Sequence, residues 1–140
     1  NGRNTAYIGS VICIESIYPE CVANFVRSGA EILSEITNDA WYDYTIGPEQ
    51  HYAIACIRAI ENKRYLARCA NTGVSGFITP LGESLSRAEH YQATAVAERL
   101  PKLRQQTFYT AHGEWFISIL SLGLGIICVV FVVLKRKKTS

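Results

Sequence analysis

A cysteine and a glutamate lie two residues apart in the segment VICIES, residues 11–16. Val11 and Ile12 are typical of a buried β-strand, in which alternate side chains point to the same face. We therefore predict that Cys13 and Glu15 share one face at the end of a strand. A thiolate is a strong nucleophile, and a carboxylate beside it could orient the site. The alternative is that Cys13 packs as a small apolar side chain.

The elements that would position this pair alternate between strand and helix, which predicts an α/β layer. Strands are predicted for residues 6–14 and 31–37, helices for 19–30 and 48–66, two short strands around a turn at 71–73, and a further strand for 91–98. Asn, Asp, Gly and Pro make the segment from Asn38 to Pro48 a loop.

The 20 residues from Trp115 to Leu134 contain no charge, which predicts a transmembrane helix about 30 Å long. Trp115 and Phe116 stand at one end, and four basic residues, 135–138, follow the other. The alternative is a buried core helix. The basic cluster favours a cytoplasmic C-terminus, which would place the preceding domain outside the cytoplasm.

Charge and metal-ligand patterns exclude several function classes. Residues 135–138 supply four of the 14 positive charges, so the rest of the chain carries more acidic than basic groups. This argues against nucleic acid as a partner. The five cysteines form no CxxC pair and the three histidines are scattered, so we predict no metal site, no cofactor and no obligatory disulfide.

Several motifs follow Cys13 in a fixed order: TNDAWY, GPEQH, RAIENKR and ANTGVSG, with TFYTAHGEW leading into the apolar segment. Their order and spacing resemble the C-terminal half of the apolipoprotein N-acyltransferases, a branch of the nitrilase superfamily. The resemblance implies an α/β fold, the C-terminal half of a nitrilase-like αββα sandwich followed by one transmembrane helix. It also implies a bacterial inner-membrane protein whose catalytic domain lies on the periplasmic side.

The resemblance implies a Glu, Lys, Cys triad in which Cys13 is the nucleophile. The cysteine would take an acyl chain from a phospholipid and pass it to the N-terminal amine of an apolipoprotein. Glu15 matches a carboxylate of the family that would orient the site or assist the amine, with a structural ion pair as the alternative. The backbone N–H of Ile14 is expected in the oxyanion site with the lysine. Asn38 and Trp41 are expected to shape the pocket, with a loop-ordering asparagine and a core tryptophan as equal alternatives.

The expected domains are residues 1–98 as the C-terminal part of the nitrilase-like domain, 99–114 as a connection to the membrane, 115–134 as the membrane helix and 135–140 as a basic cytoplasmic tail. No Glu or Lys precedes Cys13, so we expect a fragment that lacks the other two triad residues.

The family pattern is not matched everywhere. Ile14 stands where the family commonly has an aromatic residue, and Tyr42-Asp43 replaces an aromatic-glycine pair. His51 is expected to make a structural hydrogen bond, and Arg58 to pair with Glu61. Two alternatives remain open: a nitrilase-like amidase, and a membrane-anchored remnant without catalysis.

Overall fold

The structure, a computed structural model, describes residues 5–139. Five strands, two 3-10 helices and four α-helices follow one another in the described part of the chain. They are β1 (Ile8–Ile12), a 3-10 helix (Cys13–Ile17), α1 (Pro19–Arg27), β2 (Ile32–Thr37), a second 3-10 helix (Asp39–Tyr42), α2 (Gly47–Asn62), β3 (Leu66–Ala70), β4 (Ser75–Ile78), β5 (Ser84–Ala88), α3 (Phe108–His112) and α4 (Trp115–Thr139).

The strands form one mixed sheet in the order β1-β2-β3-β4-β5. The first three strands are parallel, and α1 and α2 make the two crossovers between them. Strands β4 and β5 are added antiparallel through tight turns. The carboxyl ends of β1, β2 and β3 consequently lie at the same edge of the sheet, where ligand sites of open α/β sheets form.

Both crossover helices pack on one face of the sheet and enclose the core. Alternate strand residues point toward them and are fully buried: Val11, Leu33, Leu66 and Ile78. The helices contribute Val22, Val26, Tyr52, Ala55 and Ala59. Two isoleucines of α2 face away from this core, since Ile57 and Ile60 are 45% and 43% exposed.

The opposite face of the sheet is largely uncovered in the described chain. Its alternate residues include Ile8, Ile12 and Ile36, which are 59%, 61% and 55% exposed. Such apolar side chains on one sheet face normally pack against another layer of structure.

One sequence prediction about strands is wrong, and one strand was not predicted. Residues 91–98 form no strand, because the chain turns at His90 and Tyr91, where φ is +59°, and leaves the sheet. The fifth strand is Ser84–Ala88 instead. Its mostly exposed, partly polar residues lack the apolar alternation that marks a strand in a sequence.

The end of the second helix was also predicted too late. Helix α2 ends at Asn62, where Lys63 adopts a left-handed backbone with φ +48°, and Leu66 already begins β3. The predicted turn at 71–73 and the short strands on either side of it are confirmed.

The C-terminal helix α4 contains a stretch, Ile117–Lys135, that is long and apolar enough to cross a membrane, with a mean hydropathy of 2.9. Its described side chains from Ile117 to Leu134 are mostly exposed rather than packed in the core. The helix is therefore not part of the core of the described chain, and α4 is a candidate membrane span.

Candidate active site

Cys13 is the first residue after β1 and begins the 3-10 helix Cys13–Ile17. Its backbone φ is +48°, in the left-handed region that side chains other than glycine seldom occupy. This conformation costs about 1–2 kcal/mol and persists only where surrounding contacts enforce it. The thiol is half-buried, so it stands at the sheet edge within reach of a substrate.

The prediction that Cys13 and Glu15 share one strand face is wrong, because β1 ends at Ile12. Glu15 instead turns back, and its Oε2 accepts a hydrogen bond of 2.8 Å from the backbone N–H of Ile12. The carboxylate therefore fastens the first turn of the 3-10 helix to the end of the strand.

Cys21 is less suited than Cys13 to act as a nucleophile. Burial, and then the charge of Glu15, raise the pKa of the Cys21 thiol, so less of it is ionised at neutral pH.

Segments after the three parallel strands meet at the edge that carries Cys13. Asn38 and Asp39 follow β2, and Asn71 to Gly73 follow β3. The backbone N–H of Asn71 donates to the carbonyl of Thr37, which ties the second and third of these segments together.

Asn38 orders the loop after β2 by capping the second 3-10 helix. Its Oδ1 accepts from the backbone N–H of Ala40 at 3.2 Å and from the hydroxyl of Thr72 at 3.4 Å. Trp41 is 89% exposed, so it is not a core tryptophan. Whether Asn38 and Trp41 shape a substrate pocket stays a prediction.

A buried cluster of four ionisable side chains lies behind the site; we call it the charge cluster. Its members are Glu35, Asp39, His51 and Arg68, none of them more than 3% exposed. Arg68 pairs through Nη1 with Glu35 at 2.5 Å and through Nη2 with Asp39 at 2.7 Å. His51 Nδ1 lies 2.8 Å from Asp39 Oδ1, and its Nε2 lies 3.3 Å from Glu35 Oε1.

Asp39 is ionised within this cluster. Its burial alone would raise the pKa of the carboxyl, but the hydrogen bond from His51, the charge of Arg68 and the hydrogen bond from Thr37 together lower the pKa below its usual value. Gly73 makes room for it, because a Cβ at position 73 would lie 2.1 Å from Asp39 Oδ2.

Ser16 connects the charge cluster to the cysteine. Its Oγ lies 2.9 Å from His51 Nε2 and donates to the backbone carbonyl of Cys13 at 3.0 Å. Ser16 is 1% exposed, so water does not compete for these contacts. The expected structural hydrogen bond of His51 is thus confirmed, and so is the ion pair of Arg58 with Glu61, at 3.3 Å.

Sequence reasoning did not single out Ser16, Glu35 or Asp39 for the site. One signal was available: in the predicted strand 31–37, Glu35 falls on the same face as Leu33, which a period of two assigns to the core. Its strand partner in the parallel register is Arg68. A buried carboxylate beside a buried guanidinium on neighbouring strands predicts an ion pair.

One group of possible metal ligands occurs among residues 5–139, formed by Glu49, Glu89 and His90. Both carboxylates already pair with Arg87, at 2.6 Å and 3.1 Å. A cation there would have to displace the guanidinium, so these three residues do not make a convincing metal site.

Comparison with known proteins adds sequence relatives to this geometry. The family profile described as carbon-nitrogen hydrolase matches residues 3–107. A protein of Chlorobaculum tepidum, named apolipoprotein N-acyltransferase, is 42% identical over 130 residues, which is 92% of this chain and 24% of that protein. A protein of Rickettsia bellii with the same name is 35% identical over 133 residues, 92% of this chain and 26% of its own length. The chain thus spans about a quarter of these curated relatives.

Solved structures agree with the fold. A carbon-nitrogen hydrolase from Helicobacter pylori superposes with a TM-score of 0.57 at 19% identity, covering 64% of this chain and 39% of that one. An amidase of Nesterenkonia from the nitrilase superfamily gives 0.51 at 23% identity, covering 59% and 34%. The domain therefore has a nitrilase-like α/β fold with a mixed sheet.

Proposed function

The chain belongs to the carbon-nitrogen hydrolase family, and from this we propose that it is the C-terminal part of an apolipoprotein N-acyltransferase. The observation that carries the proposal is the position of Cys13. A half-buried thiol stands in a left-handed backbone conformation directly after a parallel strand, at the edge where three strand ends meet. The relatives named N-acyltransferases align over nearly the whole chain.

The chemistry proposed for Cys13 has two steps. The thiolate attacks the ester carbonyl of a phospholipid, and the lysophospholipid alcohol leaves as the thioester forms. The free amine at the N-terminus of an apolipoprotein then attacks the thioester and releases the thiol. A thioester suits this role because it is reactive enough to acylate an amine.

The tetrahedral intermediate of each step carries a negative oxygen that needs hydrogen-bond donors. We assign one donor to the backbone N–H of Ile14. Ile14 is the second residue of the 3-10 helix, so its backbone N–H has no acceptor inside the helix. Glu15 holds the turn that presents it, through the hydrogen bond to Ile12.

An ordinary protein thiol is only a few per cent ionised at neutral pH, so the reaction needs a base to take the proton. We propose that this base, a glutamate, and a lysine that assists the oxyanion belong to a part of the protein outside these 140 residues. The relatives are about four times as long as this chain, which leaves room for both.

Helix α4 supports a membrane location for this chemistry. We propose that it anchors the domain on the periplasmic side of the inner membrane, with the basic residues at its C-terminal end in the cytoplasm. A lipid acyl donor would then reach the site from the bilayer to which the domain is attached.

The test is the Cys13→Ala variant of the complete protein, purified in detergent and incubated with phospholipid and a diacylglyceryl-modified lipopeptide. We expect loss of both the acyl-enzyme, measured by mass spectrometry, and the N-acylated product. Cys21→Ala and Cys69→Ala serve as matched controls and should keep most of the activity, because neither thiol stands at a strand end with a strained backbone.

The outcomes separate the proposal from its alternatives. An acyl-enzyme that persists in Cys13→Ala would remove Cys13 from the mechanism. Release of ammonia from amides, with no lipid-derived thioester in the unmodified protein, would favour an amidase. A complete protein that forms neither product would favour a remnant without catalysis.

A further inference from the structure

The left-handed backbone at Cys13 requires contacts that hold it, and one side chain makes such a contact. Ser16 donates from Oγ to the carbonyl oxygen of Cys13, at 3.0 Å. This carbonyl belongs to the peptide that connects the cysteine to Ile14. A hydrogen bond to it restrains the peptide plane and, with it, the direction of the thiol.

Ser16 is also held from behind by His51. Its Oγ lies 2.9 Å from His51 Nε2, and His51 Nδ1 lies 2.8 Å from Asp39 Oδ1. Glu35 Oε1 lies 3.3 Å from the same Nε2 atom, within ion-pair distance. The imidazole is thus fixed between Ser16 and the two carboxylates.

His51 therefore joins Ser16 to the charge cluster. Within the cluster, Arg68 pairs with both Glu35 and Asp39, which holds the two carboxylates beside the imidazole. The ring of Tyr42 also lies edge-on to the imidazole, with 6.2 Å between the ring centroids.

We propose that Ser16 is a positioning residue for the nucleophile, held in place by His51 and the charge cluster behind it. The proposal rests on the proposed function only in making Cys13 the nucleophile. The cluster touches no substrate. It acts through the Cys13 peptide, which would otherwise relax toward an ordinary backbone conformation and turn the thiol away from the reacting carbonyl.

The first experiment measures acyl-enzyme formation in the complete protein carrying Ser16→Ala. We expect kcat for this step to fall about tenfold to a hundredfold, as for other losses of alignment. KM for the phospholipid should change less than twofold, because Ser16 contacts no substrate. The control is Ser86→Ala, since the buried Ser86 Oγ has no hydrogen-bond partner among the described residues; this variant should match the unmodified enzyme.

Three results would overturn the positioning role. They are a kcat for Ser16→Ala within threefold of the unmodified enzyme, an increase in KM with kcat unchanged, or a loss of activity that matches the loss of folded protein.

Double variants test the link to His51. If the two residues act in one chain of contacts, Ser16→Ala combined with His51→Gln should lose little more than either single variant. Multiplied losses would contradict it.

A second experiment tests the link between Ser16 and His51 and does not depend on acyl transfer. It measures the melting temperatures of Ser16→Ala, His51→Gln and the double variant of the complete protein. If the two side chains depend on one contact, the double variant should melt close to the less stable single variant. Additive losses of melting temperature would overturn the link.

Discussion

Gly73 is the residue whose size the candidate site constrains most directly. A Cβ at this position would lie 2.1 Å from Asp39 Oδ2 and 2.7 Å from its Cγ. The carboxylate cannot move aside, because Arg68 holds Oδ2 at 2.7 Å and His51 holds Oδ1 at 2.8 Å. The glycine is therefore required for a close approach, since its own φ is not left-handed.

We predict that Gly73→Ala destabilises the protein by about 1–3 kcal/mol, the usual cost of forcing extra volume into a packed site. Thermal unfolding of the complete protein in detergent measures it. The matched control is Gly123→Ala in α4, where an added Cβ meets nothing within 4 Å. Equal melting temperatures for the two variants would show that Asp39 tolerates the displacement.

The family resemblance pointed to Cys13 as the candidate nucleophile, but the sequence did not reveal the contacts behind it. A cysteine at a strand end can be recognised in a sequence. The role of Ser16 cannot, because it depends on the turn that starts at Cys13, which brings the Ser16 hydroxyl to the backbone carbonyl of Cys13. Glu35 was hidden for another reason. Charged residues are usually solvated, so a carboxylate in the core is expected only once its partner Arg68 is known to stand on the adjacent strand.

At the scale of elements, the segment between the sheet and α4 is fastened to the domain. Arg104 pairs with the buried Glu31 at 2.6 Å, and the backbone carbonyl of Gln105 accepts from Arg64 at 2.6 Å. Helix α3 begins at its N-cap Thr107 and contacts the end of α2 through Thr110, whose hydroxyl donates to Asn62 Oδ1 at 3.0 Å. The predicted connection, 99–114, is thus attached to the domain along much of its length.

We predict that Thr110→Val loosens this attachment by about 1–3 kcal/mol, because it removes the hydroxyl that donates to the buried Oδ1 of Asn62 while keeping the side-chain volume. Brief trypsin treatment of the complete protein should then cut after Arg104 about tenfold faster, since cleavage requires local opening. Mass spectrometry identifies the cut. The exposed Thr5→Val is the control; equal cleavage rates in the two variants would mean that Thr110 does not hold the segment.

Helices and parallel strands were easier to predict than the sheet's far edge. Strands β1 to β3 and helix α1 have strong apolar patterns, because they are packed on the helical layer. Strand β5, at the edge, is held by pairing with β4 and needs few apolar residues, so its sequence carries little signal. The segment 91–98 has a better pattern but no strand to pair with after the turn at Tyr91.

At the scale of the whole molecule, the uncovered face of the sheet indicates what the domain lacks. Ile8, Ile12 and Ile36 would each contribute about 1.5–3 kcal/mol if fully buried. The chain spans about a quarter of its relatives, so the remainder of such a protein could supply a covering layer. The resemblance to an αββα sandwich predicts that this layer is a second sheet, a feature no pattern within these 140 residues could reveal.

We predict that residues 1–140, expressed alone, self-associate in detergent and form no acyl-thioester. Substituting Ile8→Ser and Ile36→Ser should reduce self-association of the isolated chain, measured by sedimentation, because both side chains lie on the uncovered face. In the complete protein the same pair should lower the melting temperature, since the face would be buried there. Ile57→Ser, on the exposed side of α2, is the control and should do neither.

Thioester formation tests the same idea chemically. Co-expression of the upstream part should restore the thioester on Cys13 and the solubility of the chain together, because one layer would cover the sheet and bring the base that the thiol needs. Restoration of solubility without the thioester would separate the two roles and place the base elsewhere. If the isolated chain stayed monomeric and formed the thioester at the rate of the complete protein, the upstream part would be needed neither to cover the sheet nor to supply the base.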